Sequence, residues 1–109
     1  MNYNNQKIVK RIAEIEGLEV EECEGELLYW PTNYAETYDP INNAGQAMEL
    51  LKGLRKGCVE CMGNGEWIAS SWVSGKLISL DVLVSTPELA ICLAYLASMG
   101  EDLTQFEEC

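Results

Sequence analysis

Of the 109 residues, 18 are acidic and 7 basic, and the formal net charge is −11. That excess argues against binding to a phosphate backbone or an anionic membrane, both of which need Lys and Arg, and leaves a basic protein partner or plain solubility. Hydrophobic residues at 48% and charged residues at 23% are globular proportions, and the length suits one core, so residues 1–109 read as a single domain.

The first helix starts at Asn4-Asn5 and runs to about Glu16. Ile8, Ile12 and Ile15 form one stripe with Val9 beside it, and Gly17 is the stop. Glu19 to Glu26 packs five carboxylates into eight residues. The stretch lacks the Asn, Asp and Gly positions of an oxygen-ligand loop, so it reads as a solvated, mobile connector. Leu27 to Trp30 reads as a short strand that Pro31 ends, and Trp30 to Asn43 as a loop rich in aromatics and turn formers.

Asn43 with Gln46 is a capping-box pattern that opens a second helix. Ala44, Ala47, Met48, Leu51 and Leu54 are its expected buried stripe, and Gly57 its end. Cys58 to Met62, then Gly63-Asn64-Gly65, then Glu66 to Val73 spell a hairpin. Ser74-Gly75 turns into a third strand, Lys76 to Val84, with Ile78, Leu80, Val82 and Val84 facing the helices. The last helix is capped by Thr86, has Pro87 in its first turn, and stops at Gly100. Leu89, Ile91, Leu93, Tyr95 and Leu96 are separated mainly by Ala and Cys, so this helix must be covered on nearly all sides by its own chain or by another. An acidic tail from about residue 101 reads as loose beyond Phe106. The fold class is therefore α+β, a two- or three-layer α/β sandwich with an antiparallel β-meander packed on three helices.

Chemistry is sparse. General acid–base catalysis at neutral pH is most easily supplied by His, and the chain contains none. No phosphate-cradling glycine loop or nucleophile elbow is present, so the expectation is a protein that is not an enzyme and takes no cofactor. Cys58 and Cys61 make half of a zinc spacing without the other half and read as small buried residues rather than metal ligands. Five cysteines, one of them in the last helix, do not form a disulfide framework. With no secretory leader pattern, and no apolar run longer than Leu89 to Ala97, a reducing, cytoplasmic setting away from any membrane is expected.

The aromatics are more informative. Tyr29, Trp30, Tyr34 and Tyr38 crowd one loop, while Trp67 and Trp72 lie on opposite faces of one strand, so at least one of those two points away from the main core. Trp30, Tyr34, Tyr38, Trp67 and Trp72 are the candidate contact residues. Lys52, Arg55 and Lys56 are a local basic trio. They are placed either to meet phosphates or, more commonly, to complement the dipole at a helix C-terminus.

Tyr38-Asp39-Pro40, Asn43 to Leu51, Trp67 to Ser70 and Thr86 to Leu96 together resemble the small phage and prophage proteins grouped as the phage ABA sandwich domain, over roughly Lys7 to Gly100. The motifs are structural. The resemblance implies an α/β sandwich of phage or prophage origin and brings no activity or site residue with it. In similar proteins the position of Leu93 is often basic, and Leu93 in its place implies a stickier helix face and a homo-oligomer. The functional expectation is a phage accessory binding protein that acts on a host protein, countering a host defence. One alternative is a protein that sequesters a small nucleotide signal, with aromatics on the base and the basic trio near the phosphates. Another is an acidic decoy for a nucleic-acid-binding protein.

Overall fold

A computed structural model describes residues 3–54, 58–73, 76–79 and 84–108. Its elements run α1 (Asn5–Glu16), β1 (Val20–Cys23), β2 (Glu26–Tyr29), β3 (Glu36–Thr37), α2 (Ala44–Gly53), β4 (Cys58–Cys61), β5 (Trp67–Val73), β6 (Lys76–Ser79) and α3 (Pro87–Ser98), followed by a 3-10 turn at Leu103–Phe106. Two antiparallel three-stranded sheets form, in the orders β1-β2-β3 and β4-β5-β6. The α+β class and the β4-β5-β6 meander are as expected.

The core is arranged around α3. Thr86 caps it by accepting a hydrogen bond from the Leu89 N–H at 3.2 Å. At the other end Gly100 takes φ +82°, a left-handed conformation only glycine adopts cheaply, which lets the Glu101 N–H return to the Leu96 carbonyl at 3.0 Å. Between the caps, every residue from Ala90 to Leu96 is buried. The helix lies against β5 and α2, and also touches α1, β4, β6 and the 3-10 turn. Leu93 is 0% exposed within the single chain. The reason for expecting a homo-oligomer, an uncovered Leu93 face, therefore does not operate.

α1 matches its expected bounds. Asn4 accepts from the Lys7 N–H at 3.1 Å, and Ile8, Val9, Ile12 and Ala13 are buried. α2 is shorter than expected and rotated. Asn43 caps it through the Gln46 N–H, but Leu54 is already extended, so the helix ends at Gly53; Gly57 lies outside the described residues. The buried stripe is Ala47, Leu50 and Leu54, while Ala44 and Met48 are exposed. Of the third strand, Lys76–Ser79 and Val84 are described. Val84 bridges Trp67 through hydrogen bonds of 2.7 and 3.0 Å, whereas Leu80 and Val82 lie outside the described residues.

Two stretches expected to be loose are ordered. Val20 to Tyr29 is a hairpin, closed by a two-residue loop with positive φ at both Glu24 (51°) and Gly25 (82°), the geometry that matches strand twist. Its register explains how so acidic a strand is accommodated. Glu21 faces Leu28 and Glu22 faces Leu27, so β1 sets no carboxylate directly opposite another. Val20, Leu27 and Tyr29 meanwhile pack on the core.

The acidic tail is also anchored. Phe106 is 3% exposed, its carbonyl accepts from the Asn4 N–H at 2.7 Å, and Glu107 bridges Tyr3. Arg11 grips Glu101 with two hydrogen bonds, Nε to Oε1 at 2.6 Å and Nη2 to Oε2 at 3.2 Å.

Candidate functional site: an aromatic loop on an acidic sheet

β2 and β3 are neighbours in the first sheet, so the six residues joining them, Trp30 to Ala35, leave the body of the protein as a hairpin loop. Pro31 cannot donate to a ladder and ends β2, and the Tyr34 N–H finds the Thr32 hydroxyl at 3.3 Å instead of a strand partner. Every residue from Trp30 to Thr37 is exposed, with Trp30 at 47% and Tyr34 at 79%. The loop thus presents most of the Tyr34 ring and about half of Trp30 to water. Tyr38, one residue past β3, goes the other way. It is 7% exposed and meets Tyr29 edge to face, ring centroids 5.2 Å apart. Tyr38 belongs to the core and not to the exposed loop.

The sheet below the loop is strongly negative. Glu19, Glu21, Glu22, Glu24, Glu26 and Glu36 are all exposed on or beside its strands. Among the described residues one of these six has an ion-pair partner, Glu22 with Lys10 at 3.6 Å. Exposed carboxylates along a sheet give it a negative field that draws positive charge.

The remaining expected contact residues do not gather here. Trp67 is half-buried against the core; the side chain of Trp72 and all of Arg55 and Lys56 lie outside the described residues. Lys52 is exposed and paired with Glu49 at 3.1 Å, one helical turn away. Cys58 and Cys61 are exposed, contrary to the expectation of burial, because β4 is the outer strand of its sheet. Among the described residues no three Cys, Asp or Glu side chains converge as metal ligands would. Cys92 is the buried thiol, and burial pushes its pKa well up, away from the reactive thiolate.

Two concavities adjoin the first sheet. One, of about 370 Å³, lies between the start of α1, the β1–β2 hairpin and Thr37 to Asn42. Its cations are already engaged, Lys7 by the Gln105 carbonyl at 3.2 Å and Lys10 by Glu22. The other, of about 320 Å³, lies where the end of α1, the end of β2 and one face of α2 meet. Gln46 fixes that junction. Its Oε1 accepts from the Asp39 N–H at 2.6 Å, and its Nε2 donates to the Thr37 carbonyl at 2.9 Å and to the Tyr29 hydroxyl at 3.4 Å. Sequence reasoning missed this hollow, although Gln46 in the capping-box pattern was its one visible signal.

No protein-family model matches the chain, and neither does any curated protein. Among solved structures, it is similar to a phage protein from Bacillus cereus ATCC 14579, at a TM-score of 0.64 over 90% of this chain and 92% of that one, with 22% of residues identical. The chain therefore has the fold of a phage protein. No helix among the described residues is long and apolar enough to cross a membrane.

Proposed function

We propose that the chain is a small, non-enzymatic phage accessory protein, one domain spanning residues 1–109, that binds a basic host protein in the bacterial cytoplasm. The observation that carries this reading is the exposed pair Trp30 and Tyr34 on a loop that extends from a strongly acidic sheet. Aromatic side chains of this kind supply contact energy, and the negative field speeds encounter with a positive partner. For a phage-encoded factor, the corresponding biological role is to counter a host defence by occupying one of its components.

The test is capture of a partner from host lysate by immobilised protein, followed by affinity measurement on the purified pair. The proposal expects Trp30→Ala/Tyr34→Ala to lose the partner, and moderate salt to slow association more than it speeds release. A partner that survives the double substitution but is stripped by salt would instead support an acidic decoy. Stabilisation by nucleotides in a thermal-shift screen, with no protein captured, would support sequestration of a nucleotide.

A further inference from the structure

The 320 Å³ hollow brings together features that each favour a cation. It sits at the C-terminal end of α1, where the helix dipole is negative, and the last turn of α1 carries no basic residue. Glu16 adds a carboxylate at that end, and Glu49, whose exposed pairing with Lys52 at 3.1 Å a partner's cation would share or displace, lines the hollow from α2. Tyr29 and Tyr38 line the same space with aromatic surface.

We propose that this hollow accepts an arginine side chain of the basic partner. The proposal rests on the binding reading above and names the chemistry of its anchor. A guanidinium is planar and weakly hydrated, stacks on tyrosine faces, and carries enough donors to serve two carboxylates at once. An ammonium group matches the charge but not the plane. The space is at the small end of ligand pockets, roughly 300 to 1,000 Å³, so it suits one side chain better than a whole nucleotide. Tyr29 is also the residue directly before Trp30, so an arginine held here lies at the root of the aromatic loop.

The experiment is an NMR titration of the full chain with Nα-acetyl-arginine amide, with the neutral isostere Nα-acetyl-citrulline amide as control. The expected result is saturable shifts at Tyr29, Glu49 and Leu50 with the arginine probe, and binding at least tenfold weaker with citrulline. Glu49→Gln alters an exposed side chain and keeps the fold, and it should weaken the arginine probe threefold or more. Equal binding of the two probes, or no shift at these residues, overturns the proposal. Failure here is separable from failure of the loop reading. A partner lost on Trp30→Ala/Tyr34→Ala, with no arginine shift, sinks the hollow alone. Saturable arginine binding with a partner indifferent to the double substitution upholds the hollow and sinks the loop.

Discussion

Tyr95 carries its hydroxyl into the core without a hydrogen bond to recover the cost of leaving water. Tyr95→Phe should therefore leave stability unchanged or raise it slightly, whereas removing a satisfied buried hydroxyl would cost about 1 to 3 kcal/mol; urea unfolding distinguishes the two. Burial, with Glu16 nearby, pushes the Tyr95 pKa up to about 12, and burial likewise raises Tyr3 and Tyr38. A folded-state pKa raised above the ordinary value of about 10 means that the contribution to stability is complete below that value and lost as pH climbs through the raised one. Absorbance at 295 nm should show these phenols ionising late and together with unfolding, and Tyr95→Phe should remove one of them from the late step. Trp30 and Tyr34 lie at the opposite extreme. Tyr34→Ala should shift stability by no more than about 0.5 kcal/mol, because that ring is largely in water, and Trp30→Ala by about 1 kcal/mol, because half of its surface is covered.

At the level of elements, the helix ends were the most legible part of the chain. Asn4, Asn43 and Thr86 cap as their side chains dictate, and Gly100 stops α3. The second strand of the first hairpin was legible, but its partner, Val20 to Cys23, was not, because charge density spoke for disorder while the deciding fact, each β1 carboxylate facing an apolar residue, is a property of register. The stripe on α2 was misplaced for a related reason. Period alone does not say which of two adjacent rows meets α3, and Leu50 rather than Met48 does so. The C-terminal segment looked solvated because it is acidic, yet Phe106 is enough to dock it. Phe106→Ala should cost about 3 to 5 kcal/mol, where a loose tail would cost nothing. Within the site, Trp30 and Tyr34 were legible as aromatics in a loop that Pro31 keeps out of the sheet. Tyr38 was not, since its burial depends on Tyr29 across the fold.

For the whole molecule, net charge and packing pull in opposite directions, and the ion pair joining α1 to the chain end shows how they are reconciled. The hydrogen bond from Arg11 holds the Glu101 carboxyl below the usual carboxylate range. A folded-state pKa that is lowered contributes stability above the ordinary value of about 4.3 and loses it as pH falls through the depressed one. Amide protection factors in Leu103 to Phe106, corrected for the slower intrinsic exchange at lower pH, should accordingly fall on acidification, and Glu101→Gln should show the reduced protection already at neutral pH. In the proposed reading the rest of the charge serves recognition: six exposed glutamates on and beside one sheet are a cost to compactness that a positive partner would offset. The affinity of that partner for the wild-type chain and for Trp30→Ala/Tyr34→Ala is the most direct measurement. A loss of about 30-fold or more, the scale of an interface hot spot, is the result expected. Equal affinities would show that the partner is held elsewhere.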